Sequence, residues 1–384
     1  MVIVSAPGKI LWIGGYAVLE RPNVSFVTGV DKRVYCEATE LPAEKIAISS
    51  PQFNLNVEGN FDDKKVTLSC DEETNKKASF VKTAIESTLA YLATNGKTKG
   101  VKVKTISDPA FGFGDTKSGL GSSAAVTTAV VAAVLSLHGV NISNEESRHL
   151  IHKIAQYSHS TSQGKIGSGF DIAASVFGGH EYVRYSPDVV KTDDVNKALA
   201  NKWDYTATQL AVPAEFETVV ANIEGESAST SAMVKKINEW KASDPAGYKE
   251  LMAKINEADV NSVKYLRLVN EERDIKAKGK LLEEFKHWFN QARLLTKELG
   301  TKSGAPIETE ELTKLIDASL QNGAFVCRLP GAGGGDSIAA WCLGSVQTTK
   351  LKTFWQNNPF KKVTVIKLSI SNEGVRVEKN IPTF

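Results

Sequence analysis

The chain has 384 residues, 42% of them hydrophobic and 23% charged, with a formal net charge of +2. That is long for one hydrophobic core and ordinary in composition for a folded water-soluble protein, so two domains are expected. The near-balanced charge, with no dominating basic run, gives no sign of a nucleic-acid surface and leaves function to local groupings.

Cys36, Cys70, Cys327 and Cys342 are the only cysteines, and no two stand at C-x-x-C spacing. Zinc and dithiol redox motifs are therefore unsupported, and a scattered set suits a reducing, cytoplasmic location. Residues 1–7 lack the basic start and long apolar core of a signal peptide. The most apolar stretch, 124–140, carries Thr127, Thr128, Ser136 and His138 and is short for a membrane span; it reads as a buried helix.

In chain order, Val2 to Val4 reads as a short strand entering a Ser-Ala-Pro-Gly turn, which presents Lys9. Phe26 to Ala38 alternates as a strand. Residues 46–68 read as two or three short strands with turns at Glu58-Gly59-Asn60 and Asp62-Asp63. Phe80 to Leu92 has a helical period, and Val101 to Ile106 alternates Val with Lys as a half-exposed strand.

Next comes Lys117-Ser118-Gly119-Leu120-Gly121-Ser122-Ser123-Ala124-Ala125, a glycine-rich turn entering a small-residue helix. Gly119 and Gly121 allow a tight turn and close approach to a ligand. Ser122 or Ser123 is placed to cap the helix, whose first N–H groups and positive dipole end suit an anion. Two readings stand at this point: a phosphate cradle, or a plain loop that starts a buried helix. A Walker A loop is excluded, since Gly-Lys-Ser/Thr is missing at its spacing.

Glu145 to Ser158 reads as a helix. A second glycine-rich turn, Gln163 to Asp171, feeds a short helix, Ile172 to Phe177. Strands are expected at His180 to Tyr185 and Thr208 to Val212. The character changes near Val212-Pro213, which divides the chain into an N-terminal domain, 1–210, and a C-terminal one, 211–384. Phe216 to Ile223 is a strand, and Glu224 to Ser231 a polar turn capping a helix from Met233 to Trp240. Helices follow at Tyr248 to Asn270, Leu281 to Leu299 and Glu311 to Asn322. The strand Phe325 to Leu329 ends in a third glycine-rich loop, Pro330-Gly331-Ala332-Gly333-Gly334-Gly335-Asp336, and Ser337 to Leu343 continues it. Val363 to Ile370 and Gly374 to Val377 are closing strands. His149, His152 and His159 are spaced for at most a partial zinc set, with no fourth ligand placed by spacing.

Three such loops, with Lys9 in a fourth turn, suit a site that envelops a polyphosphate and a second anionic substrate. Pro7-Gly8-Lys9, Gly119 to Ala125 and Gly331 to Asp336 resemble the three ordered motifs of the GHMP kinases. Within that superfamily, Gly14 to Glu20, Gln163 to Asp171 and Ser303 to Glu308 are similar to the phosphomevalonate kinase branch. The resemblance runs in order from Pro7 to about Ala340. It implies a two-domain α+β fold: an N-terminal half like domain 2 of ribosomal protein S5, and a ferredoxin-like C-terminal half. It implies ATP-dependent phosphorylation of 5-phosphomevalonate to 5-diphosphomevalonate, with small-molecule partners and neither nucleic acid nor membrane. The alternatives are a kinase for another small acid such as mevalonate, or a non-catalytic ligand-binding relative. Conversion to a decarboxylase of the same fold is disfavoured by the Gln163–Asp171 stretch.

By the same resemblance Lys9, Asp171 and Lys117 are catalytic. ATP is held by Lys117, Gly119, Leu120, Gly121, Ser122, Ser123 and Ala124. The acceptor is held by Lys9, Tyr16, Lys165, Ser168, Gly169, Ser229, Arg293, Gly331, Ala332, Gly333 and Gly334. Magnesium falls to Ser122 or Ser123, because the segment 157–162, where mevalonate kinase supplies a magnesium-binding glutamate, has no carboxylate here. The third loop also departs from the pattern, with Gly335 where a Tyr or Phe often precedes the Asp.

Overall fold

The computed structural model describes all residues except 63, 95, 97, 113–118, 165–166 and 226–227. The N-terminal sheet is built from β1 (Val2–Ile13), β2 (Ser25–Leu41), β3 (Lys45–Ser50), β4 (Leu55–Phe61), β5 (Val66–Leu68) and β6 (Gly100–Ser107). Its main order is β1-β2-β6-β3-β4-β5. The alternation read from the sequence is what buries one face: in β4 the pattern is strictly buried-exposed, and in β6 Val101 and Val103 point inward while Lys102 faces out. The short α1 (Glu72–Lys77) leads to α2 (Ser79–Ala93), α3 (Ser122–Leu137), α4 (Glu145–Ser162) and α5 (Phe170–Phe177), which pack with the sheet in one core. Helix α3 is buried nearly all round, as its Ala/Val composition requires. Beyond it lie β7 (His180–Val183) and β8 (Thr206–Gln209), which extend the sheet from β2, with α6 (Val195–Ala200) between them in the chain.

Two expected turns are corrected. Pro7-Gly8-Lys9 lies inside the continuous strand β1, at a register shift against β2 between Pro7 and Lys9. A bulge accommodates a proline that has no N–H for the ladder. It also frees the Lys9 N–H to donate to the Leu120 carbonyl at 2.9 Å. Glu58-Gly59-Asn60 lies within β4, where pairing to β3 on one side and β5 on the other overrides its turn-like composition.

The second sheet comprises β9 (Phe216–Ile223), β10 (Val326–Arg328), β11 (Ser337–Leu343) and β12 (Val363–Ile366). Between β9 and β10 run α7 (Thr230–Ser243), α8 (Pro245–Glu271), α9 (Ile275–Ser303) and α10 (Glu310–Gln321); α11 (Gly344–Asn357) joins β11 to β12. The sheet order β10-β11-β9-β12, antiparallel throughout, gives the expected ferredoxin-like arrangement with extra helices in its first crossover. Helices α10 and α11 cover one face through Leu315, Ile316, Leu351 and Trp355. The Trp355 indole N–H donates to Ser319 Oγ at 2.8 Å, both side chains fully buried. Ser319→Ala orphans that N–H and is expected to cost about 1–3 kcal/mol in urea unfolding.

The two sheets meet at Trp12 of β1 and Trp341 of β11, whose ring centroids are 4.3 Å apart. Phe216, Phe285 and Phe289 pack around this pair and make one core across the seam. The tail then crosses back: β13 (Ile370–Ser371) pairs with β2, and β14 (Arg376–Glu378) with β1. The division drawn at residue 210 is therefore bridged by the last strands, which cover a β1 edge that would otherwise be open. No helix among the described residues is long and apolar enough to cross a membrane.

Candidate active site

A cleft of about 1100 Å³ opens beside the seam. Its walls include Lys9 and Tyr16, Gly119 and Leu120, Ser168 and Phe170, and Gly331 to Gly333. All three glycine-rich loops thus contribute to one space, as do the end of β1 and the start of α7.

Lys9 is the point where they meet. Its Nζ donates to the Gly119 carbonyl at 2.6 Å, and it lies 5.5 Å from the centre of the Phe170 ring. Its stem runs against Gly121, where an added Cβ would stand 3.1 Å from the lysine carbons. Burial lowers the Lys9 pKa, and the neighbouring Asp171 carboxylate acts against that shift. The bulge in β1 aims the side chain across the strand end toward both loops.

Helix α3 begins at Gly121, whose φ of +77° is the left-handed conformation that glycine adopts without strain. The expectation that Ser122 or Ser123 caps the helix is corrected: both are already helical, and no side chain caps the first turn. The first-turn N–H groups are therefore left without intrahelical partners at an electropositive helix end. Ser122 is exposed and its hydroxyl has no partner among the described residues, whereas Ser123 Oγ meets His159 Nε2 at 3.1 Å. Ala124 is fully buried in the same turn. Lys117 lies outside the described residues.

The second loop ends at Gly169, with φ +77°, which starts α5 and sets Asp171 in its first turn. Gln156 Nε2 donates to the Gly169 carbonyl at 2.6 Å, and Arg184 donates to the Gly167 carbonyl at 2.8 Å. These two side chains hold the loop from beneath. Asp171 Oδ1 accepts from the Ile172 N–H at 2.9 Å, and Oδ2 lies 3.9 Å from His159 Nε2. Asp171 and Ser168 line a smaller space of about 100 Å³, which shares Gln163, Gly167 and Ser168 with the main cleft. Burial lowers the His159 pKa, again opposed by Asp171. Lys165 lies outside the described residues.

The third loop is tied inward more than the sequence suggests. The Gly331 N–H donates to the Leu11 carbonyl, Gly333 to Pro330 and Gly334 to Ile307. Three of the four N–H groups expected to face a phosphate are thus already engaged within the protein. The Ala332 N–H has no acceptor among the described residues, and the Ala332 carbonyl accepts from Tyr16 Oη at 2.8 Å. Tyr16, whose pKa is raised by burial, therefore pins the loop to the end of β1.

Arg293 does not reach the cleft. It is 5% exposed and makes a two-pronged contact with Glu308, at 3.0 and 2.6 Å, and a third with Asp317 at 2.9 Å. Sequence position suggested a phosphate-binding cation; two carboxylates already engage it. Ser229 is the N-cap of α7, accepting from the Ala232 N–H at 3.3 Å, while the following Thr230 and Ser231 line the cleft. Asp336 and Lys235, beyond the site residues expected from the sequence, also line it. The acidic end of the glycine run was a visible signal for the first; nothing distinguished the second from other helix-surface lysines. Among the described residues no three His, Cys, Asp or Glu side chains gather to hold a metal ion.

The cleft thus has an uncapped helix start on one side, with Lys9 between it and the turn that carries Asp171. Comparison with known proteins places the fold. Residues 79–179 match the GHMP kinases N terminal domain, and residues 265–359 the GHMP kinases C terminal. A phosphomevalonate kinase of Saccharolobus solfataricus is 30% identical over 99% of this chain and 100% of its own. The peroxisomal phosphomevalonate kinase of Arabidopsis thaliana is 26% identical, covering 99% of this chain and 97% of that protein. Among solved structures, Streptococcus pneumoniae phosphomevalonate kinase in complex with phosphomevalonate and AMPPNP superposes with a TM-score of 0.75. It is 21% identical and covers 97% of this chain and 100% of that one. With both domain models matched and a full-length relative at this identity, the chain belongs to the GHMP kinases.

Proposed function

We propose that this chain is an ATP-dependent phosphomevalonate kinase. The observation that carries the phosphoryl-transfer reading is the placement of Lys9, held by the first glycine loop, beside Asp171, in a cleft walled by the third loop. Full-length relatives named phosphomevalonate kinases support the choice of acceptor.

In this reading the ATP phosphates lie at Gly119 to Ala124, against the uncapped start of α3, with Lys117 assigned to them by its place in the sequence motif alone. The acceptor phosphate lies between Lys9 and the Ser168–Gly169 turn, with Lys165 assigned to it by its place in the sequence motif alone. A phosphomonoester has its second pKa near about 6 and is largely dianionic at neutral pH. One of its oxygens attacks the γ-phosphorus, the bond from that phosphorus to the bridging oxygen breaks, and ADP leaves. No proton has to be removed from the nucleophile. Lys9 offsets the charge on the group in transit. Magnesium, which spreads the charge of the ATP phosphates when bound, suits the exposed hydroxyl of Ser122, with phosphate oxygens and water completing its hard-oxygen set. The four free thiols fit a cytoplasmic location.

Asp171 in this scheme orients and pairs with Lys9 and is not a general base. Asp171→Asn is expected to lose turnover by well under the roughly 10⁴-fold ceiling typical of removing a true base. A steady-state kcat depressed beyond that would reassign Asp171 to proton removal.

The test of function is coupled ADP release with mevalonate, phosphomevalonate and diphosphomevalonate offered separately. Release with phosphomevalonate alone is expected. Release only with mevalonate would make the chain a mevalonate kinase, and none with any acid would leave it a non-catalytic relative.

A further inference from the structure

One face of α4 carries a buried polar stripe that the scheme above does not use. Gln156 and His159, 2% and 5% exposed, stand three residues apart, and the exposed Gln163 caps the helix end. On a core helix such positions are ordinarily apolar. Each of these side chains reaches the machinery of the cleft. Gln156 holds the Gly169 carbonyl. His159 Nε2 lies 3.1 Å from Ser123 Oγ, 3.4 Å from Gln163 Nε2 and 3.9 Å from Asp171 Oδ2. The imidazole is stacked on Phe80 of α2, with centroids 5.3 Å apart and planes at 29°, so the ring cannot swing without losing that packing.

One nitrogen thus faces groups from both sides of the cleft. Ser123 belongs to the helix start assigned to ATP, and Gln163 and Asp171 to the turn assigned to the acceptor. We propose that His159 is a positioning residue, which sets the spacing between the ATP loop and the acceptor loop by bridging Ser123 to Gln163. This rests on the phosphoryl-transfer reading above. As a neutral ring, its Nε2 accepts from the Ser123 hydroxyl and the Gln163 amide together. It leaves the Asp171 carboxylate to Lys9. In-line transfer is sensitive to that spacing, since a displacement of about 1 Å at a reacting centre costs on the order of 10²-fold.

The test compares His159→Phe, which keeps the ring and its stacking but removes Nε2, with His159→Gln, whose amide reaches toward the same place. His159→Phe is expected to lose kcat by about 10²-fold, with KM for ATP and acceptor and the melting temperature little changed. His159→Gln recovers most of that loss. Ser123→Ala added to His159→Phe costs no more than the larger single loss, because both cut one link. Wild-type turnover by His159→Phe, equal loss in Phe and Gln variants, or additive losses would each overturn the proposal. Should the Phe variant fail to fold, Ser123→Ala cuts the same link from the other side: a comparable loss of kcat is expected, and wild-type turnover overturns the proposal. Amide exchange at residues 169–172 supplies a readout that needs no acceptor. It is expected to quicken in His159→Phe and less in His159→Gln, and unchanged exchange in His159→Phe overturns the bridge. Wild type inactive with every acid, yet with quickened exchange in the variants, would instead count against the proposed function.

Discussion

Lys9→Met lowers kcat by about 10²–10³-fold, the range for removing one preorganised charge-stabilising donor from a reaction centre. Methionine keeps an unbranched stem against Gly121 and near the Phe170 ring, so stability and nucleotide binding change little. What is lost is the ammonium that bonds Gly119 and stands by Asp171. The loss should fall on kcat more than on either KM, because the cation matters most to charge in transit. Steady-state kinetics with both substrates varied, beside a thermal melt, makes the distinction. A Lys9→Met enzyme that turns over normally would remove Lys9 from the chemistry.

Arg293→Met gives the opposite pattern. The guanidinium is buried against Glu308, itself hardly exposed, so the substitution leaves a carboxylate without its partner in a dry environment. Breaking such a pair by removing one member costs about 3–5 kcal/mol. The effect reaches the site only indirectly. Glu308 follows Ile307, whose carbonyl accepts from the Gly334 N–H, so the ion pair steadies the strand of chain on which the third loop rests. Urea unfolding should show the full loss, while turnover per folded molecule falls far less than for Lys9→Met. Unchanged stability with a raised acceptor KM would restore Arg293 to the acceptor phosphate.

Much of this was legible in the sequence because the signals were local. Strand β9 follows the change of character at Val212-Pro213, and its bounds, Phe216–Ile223, agree with those read from the residues. The three loops were visible because tight backbone geometry demands glycine. Other features depend on partners distant in the chain. The Pro7-Gly8 pair reads as a turn until β2 supplies a strand for it to bulge against. Helix α11 went unread because only Thr348, Leu351 and Trp355 are buried in it, a stripe too narrow to stand out from its polar residues. Arg293 shows the same limit for sites. A lone arginine on a periodic helix cannot announce that Glu308 and Asp317 will close on it. His159 stood beside His149 and His152 as a weak metal set; only the packing of α3 and α5 against α4 turns it toward Ser123 and Asp171.

The claim that one cleft joins two phosphates is most directly tested by ³¹P NMR of a reaction containing ATP and phosphomevalonate. The account predicts that the acceptor's phosphomonoester resonance is replaced by a mutually coupled pair from a new diphosphate, as ADP accumulates in equal amount. ATP converted to ADP and inorganic phosphate, with the phosphomonoester resonance unchanged, would contradict it.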